Sequence, residues 1–82
     1  MKRRPPAILE RKLGRQRAAG QHIFGTQVIE VDPRQTSRER MDTVVHEALH
    51  YGRPDLNEAE VERVAHIIAG ALWRDRYRRI EE

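Results

Sequence analysis

An α+β fold, with a small antiparallel sheet or hairpin in its first half and two helices in its second, is what this sequence predicts. Three observations carry that expectation. β-Branched residues cluster between Gln21 and Asp32 and are bounded by turn residues. Two capping signals, Thr36 with Glu39 and Asn57 with Glu60, each stand before apolar residues at helical spacing. Gly52 and Pro54 punctuate the interval between those two runs.

Taken in order, Ala7-Ile8-Leu9-Glu10-Arg11 fits either a short strand or a loose basic arm spanning residues 1–12, and its pattern does not decide between them. Gly14 breaks it. His22-Ile23-Phe24 and Gln27-Val28-Ile29-Glu30-Val31 read as two strands joined across Gly25-Thr26, and Asp32-Pro33 ends the second because proline offers no ladder donor. The capping box opens a helix near Ser37, in which Met41, Val44, Val45, Ala48 and Leu49 form the buried stripe. A second helix starts near Asn57 and runs toward Tyr77, with Val61, Val64, Ala65, Ile68 and Leu72 on its apolar face. Leu72 and Trp73 close its end, and the polar tail from Arg74 is expected to fray, with Arg78 and Arg79 available to neutralise carboxylates near the sheet.

Eighty-two residues make a single domain, 1–82, with a thin core, since a chain this short buries only about 60% of the surface its unfolded form exposes. It contains no cysteine, so disulfides and thiolate ligands are excluded. Pro5-Pro6 and charged residues stand where a signal peptide would carry its apolar core, and no run approaches the roughly 20 apolar residues of a membrane span. A soluble, cytoplasmic protein with no membrane partner is expected. The net charge of +3 arises from basic residues grouped at Lys2 to Arg17 and Arg74 to Arg79. Interspersed acids and a single Phe make a stacking platform for nucleic acid a poor fit, and a solvated basic surface the simpler reading.

The chemistry lies in His46-Glu47-Ala48-Leu49-His50, an H-E-x-x-H pattern inside the first helix. Residues four apart share a helical face, so both imidazoles can reach one metal while Glu47 holds a water beside it. On a helical wheel the two histidines fall away from the apolar stripe, which disfavours an ordinary core role. A hydrolytic Zn2+ site takes three protein ligands and leaves a position for water, so a third ligand is needed. With cysteine absent it must be His, Asp or Glu. On the second helix Glu58 lies about 60° from the centre of the apolar face and Glu62 about 100°, with Glu60 on the other flank as the capping-box carboxylate. Glu58 is therefore the favoured ligand, and Glu62 the alternate, or a carboxylate supporting a ligand from behind. His66 lies further round. As an ordinary first-turn acid, Glu58 would instead only interact with the helix dipole.

The stretch Met41 to His50, then Arg53-Pro54-Asp55-Leu56, Glu58 with Val61 and Ala65, and Leu72-Trp73 before Tyr77-Arg78-Arg79 resembles the small metallopeptidases of phages, prophages and bacteria. Gly14-Arg15, Gly20-Gln21 and Ile29 to Arg34 extend the resemblance over Leu13 to Arg79. It implies a minimal zincin-like core of the gluzincin type in a bacterial host cell, with His46, His50 and a glutamate of the next helix as zinc ligands and Glu47 as catalytic acid/base. Only seven residues separate His50 from Glu58, where larger relatives often carry a longer insertion.

The expected function is zinc-dependent hydrolysis of peptide bonds in a protein or peptide substrate, with the strand Gln27 to Val31 receiving an extended substrate by β-augmentation. His22, Tyr51 and Tyr77 are candidate donors to the developing oxyanion. The alternative is a non-catalytic, zinc-stabilised binding module of phage or prophage origin, completed by a partner protein or by a second copy of the chain. Against that alternative, structural zinc sites are usually closed by four protein ligands, and no fourth stands out.

Overall fold

The computed structural model describes residues 4–13, 20–22 and 26–80, the side chain of His22 excepted. Within them the chain forms β1 (Ala7–Glu10), β2 (Gly20–His22), β3 (Val28–Val31), α1 (Ser37–Gly52) and α2 (Glu58–Arg74). This is the expected α+β order of a small sheet followed by two helices. Ile23, Phe24 and Gly25 of the expected hairpin, and the break at Gly14, lie outside the described residues.

The three strands lie in the order β1-β3-β2. β2 pairs antiparallel with β3, Gln21 opposite Glu30, as a hairpin requires. β1 is a strand rather than a loose arm, and it pairs parallel with β3, Ile8 beside Ile29. The sheet is thus mixed and β3 is its central strand. That placement corrects the expectation that Gln27 to Val31 receives a substrate strand. Both edges of β3 are already hydrogen-bonded, so among the described residues the free edges of the sheet are the outer ones of β1 and β2.

Alternation along β3 explains its burial. Ile29 and Val31 point to one face and are completely buried against Tyr51, Val44 and Ala48 of α1, with Ile8 beside them. Glu30 points to the other face, where Gln21 Nε2 donates to it at 2.9 Å and Arg11 at 3.2 Å. Those donors hold the Glu30 carboxyl below the usual carboxylate range. Asp32 follows, also buried, and accepts from the backbone N–H groups of Leu13 (3.0 Å) and Arg34 (2.9 Å) and from the Arg34 guanidinium. Gln35 Nε2 donates to the Asp32 carbonyl, and Thr43 Oγ1 donates to Gln35 Oε1 at 2.6 Å, so the turn is tied to α1.

Both helices begin where the capping signals place them. Thr36 accepts from the Glu39 N–H while Glu39 accepts from that of Thr36, and Asn57 and Glu60 repeat the exchange. α1 ends at Gly52, and Arg53 N–H closes on the Leu49 carbonyl at 2.7 Å. α2 stops at Arg74, short of Tyr77. Arg76 adopts φ 66°, and its N–H and that of Tyr77 return to the carbonyls of Trp73 and Leu72, a Schellman ending. Arg78 and Arg79 are anchored in the segment expected to fray. Arg79 reaches Glu10 on β1 at 2.8 Å, and the Arg78 guanidinium stacks 3.4 Å from the Trp73 ring centroid.

The buried row of α2 is Val61, Ala65 and Ala69. Ile68, expected in the core, is 39% exposed, because this row lies about 60° round the helix from it at about 100° per residue. Small residues in the row let α1 and α2 pack closely as an antiparallel pair. Among the described residues no helix is long and apolar enough to cross a membrane.

Gly20 sits where α1 crosses β2. A Cβ there would meet Thr43 Cγ2 at 2.5 Å and the Glu30 carbonyl oxygen at 3.1 Å, the latter a backbone atom that cannot step aside. Gly20→Ala is expected to destabilise the protein by about 1–3 kcal/mol, read by urea unfolding. Asp32 gives a second expectation. Its donors, the Arg34 side chain first, depress its folded pKa far below the unfolded value of about 3.9, so its contribution is complete above that pH and is lost as the pH falls below it. Asp32→Asn should lower Tm at neutral pH and flatten the acid limb of a Tm-against-pH curve recorded in chelator. An unchanged acid limb would remove Asp32 from this role.

Candidate metal centre

Five residues, 53–57, connect the helices, and within them Arg53 is clamped to Asp55 by two contacts of 2.8–2.9 Å. Leu56 N–H closes the turn on the Arg53 carbonyl at 3.1 Å. This reversal sets the first turn of α2 against the last turns of α1. Glu58 is the first residue of α2, and the observed apolar row brings it to within about 20° of the contact face, with Glu62 about 60° away.

The consequence is a compact group of three. His46 Nε2 lies 2.6 Å from Glu58 Oε1, and His50 Nε2 lies 3.1 Å from Glu58 Oε2. The two imidazoles meet edge to face, with ring centroids 4.9 Å apart. One ligand atom from each residue falls within 4.8 Å of the others. No other group of three or more metal-ligating side chains so close occurs among the described residues. The His46 and His50 side chains are 23% and 29% exposed and that of Glu58 is 61% exposed, so the group opens to solvent on the Glu58 side.

Two imidazole nitrogens and one carboxylate form a donor set that suits Zn2+ with a position left for water. The nitrogens facing Glu58 are the pair that H-E-x-x-H would use. Glu58 therefore does more than sit at the positive end of the α2 dipole, since its two oxygens span both rings.

The other candidates separate cleanly. Glu47 lies on the neighbouring flank of α1 with Thr43, its Cγ 3.4 Å from where a Gly20 Cβ would be, so it borders β2. Glu62 is exposed and outside the group of three. It lines an open cleft of about 560 Å3 with Asp42, His46, Ala59, Arg63 and His66. That position places it across the cleft from His46. Tyr51 is corrected as an oxyanion donor: it is 4% exposed and its hydroxyl donates to the Arg4 carbonyl at 3.0 Å. Tyr77 is corrected too, because it lines a separate cleft of about 380 Å3 whose walls mix apolar Met41, Val45, Leu72 and Trp73 with charged Glu10 and Arg40, and to which none of His46, Glu47, His50 or Glu58 contributes. The His22 side chain lies outside the described residues.

One residue escapes the sequence reading. Asp42, one turn before His46 on the same flank of α1, has a buried Oδ1 with no hydrogen-bond partner. Its four-residue spacing from His46 was the available signal.

Tag-free protein reconstituted with zinc and analysed for metal should hold it stoichiometrically, lose it on His46→Ala, His50→Ala or Glu58→Ala, and keep it on Glu62→Ala. Loss with Glu62→Ala and retention with Glu58→Ala would exchange the two roles. Comparison with protein-family models, with curated proteins and with solved structures found no match.

Proposed function

We propose that this chain is a zinc-dependent peptidase of minimal zincin type, similar to the small phage and bacterial metallopeptidases its motifs resemble. The observation that carries the reading is the Glu58 carboxylate spanning the Nε2 atoms of His46 and His50, with Glu47 on the adjoining flank of the same helix. The three side chains would hold zinc with both histidines neutral and protonated at Nδ1. When bound, zinc supplies a Lewis acid for the scissile carbonyl and brings the pKa of water toward about 7.

Glu47 is the acid/base. Its carboxylate accepts a proton from the attacking water and passes it to the departing amine nitrogen, so that water adds across the C–N bond and the carboxylate is regenerated. The outer edge of β2, which pairs with no other described strand, lies beside Glu47 and would offer backbone groups to an extended peptide. A peptide on that edge would have its backbone held by hydrogen bonds and its side chains alternating toward and away from α1.

Glu47→Gln separates catalysis from metal holding. It should retain zinc and lower kcat on a quenched peptide library by at least about 100-fold, while chelation abolishes activity and added zinc restores it. Stoichiometric zinc without turnover in the wild type would leave the chain as a zinc-stabilised binding module. Equal turnover by wild type and Glu47→Gln would remove Glu47 from the chemistry.

A further inference from the structure

A buried carboxylate oxygen with no partner is costly, and natural proteins rarely keep one without use. Asp42 Oδ1 is the one such side-chain atom among the described residues. Asp42 lies near the middle of α1, beyond the first turn, so the helix dipole gives it little compensation. It is also a poorer helix former than alanine. Nothing local accounts for it.

Its surroundings supply a use. Asp42 and His46 share one wall of the open cleft between α1 and α2, four residues apart on one helix face. Side chains on a helix lean toward its N-terminus, a tendency that directs His46 toward the turn holding Asp42. His46 directs Nε2 at Glu58, which leaves Nδ1 as its other nitrogen. For Nε2 to serve as a metal ligand the ring proton must sit on Nδ1, and a proton there needs an acceptor. The main-chain carbonyl one turn back is engaged in the helix. The opposite wall carries Glu62, Arg63 and His66 from α2.

We propose that Asp42 is a positioning residue for His46, a role that rests on the His46–His50–Glu58 group being a zinc site: Oδ1, which makes no hydrogen bond here to His46 or to any other group, would accept from His46 Nδ1 once a metal holds Nε2, and so fix the tautomer and ring plane that present Nε2 to it. The chain keeps a destabilising buried oxygen because it strengthens one ligand. A carboxylate behind a ligating imidazole raises its basicity, and removing such a partner typically weakens metal binding by about 10–100-fold.

Stability and affinity should therefore move in opposite directions. Zinc Kd is measured by competition with a chromophoric chelator for the full chain, Asp42→Ala, Asp42→Asn and His46→Ala, alongside Tm in excess chelator. The expected result is that Asp42→Ala has an apo Tm equal to or above wild type and binds zinc about 10–100-fold more weakly. Asp42→Asn, which keeps an acceptor without the charge, falls between. A zinc Kd for Asp42→Ala within threefold of wild type would overturn the role. So would an apo Tm lowered in both Asp42 variants, since that assigns Asp42 to the fold. Two zinc ions per wild-type chain, falling to one in Asp42→Asn, would assign it to a second ion instead. A wild type that binds no zinc, or a His46→Ala variant that binds it unchanged, would overturn the metal-site reading itself, a result distinct from any failure confined to Asp42.

Discussion

The close reversal between α1 and α2 is the constraint on which the site depends. Neither helix alone offers a metal three ligands, because α1 contributes two imidazoles and α2 one carboxylate. Five connecting residues leave little freedom in how the helices meet, and both ends are fixed. Arg53 N–H caps the Leu49 carbonyl, and Asn57 with Glu60 starts α2 at once. Glu58 is then the first side chain of α2 to face α1, opposite the turn that carries His46 and His50. A longer loop would close at little additional entropic cost, but it would not set the register of the two helices so tightly.

The remaining architecture holds α1 in place with few apolar residues. Ile29, Val31 and Val61 are the largest side chains buried outright, each worth about 1.5–3 kcal/mol. So small a core is supplemented by polar ties at the margins of the sheet. Glu10 gathers Arg40 from α1 and Arg79 from the tail, which draws two distant parts of the chain to β1. Those guanidiniums, Arg79 first, hold the Glu10 carboxyl below its ordinary range. Exposed pairs of this kind contribute little individually, and the value of this one lies in closing the tail onto the first strand.

Function and stability pull against each other along one helix. The face of α1 toward the sheet is apolar at Val44 and Ala48, whereas its flank toward α2 carries Asp42, His46 and His50 half-buried. Replacing those three with aliphatic residues would give a better-packed helix pair. Their presence at a helix–helix contact in a chain with so little core fits the proposal of a metal site there.

Much of this was legible in the sequence because it rests on local rules. Capping boxes are short-range exchanges between an N-cap and its N3 residue, so Thr36 with Glu39 and Asn57 with Glu60 placed both helices correctly. The four-residue spacing of His46 and His50 fixed them on one face, and wheel geometry favoured Glu58 over Glu62. What tertiary structure alone decided was pairing and rotation. A parallel partner leaves no turn signature, so the sequence could not place β1 beside β3 or show that both edges of β3 are taken. The buried row settled on Val61, Ala65 and Ala69, to one side of the expected apolar face, which left Ile68 at its margin and brought Glu58 against His46 and His50. Helical periodicity locates a stripe, but the neighbouring helix determines which part of it is covered. The isolation of Asp42 Oδ1 likewise follows from that packing, since a carboxylate is unpartnered only when folding has removed both water and donors from it.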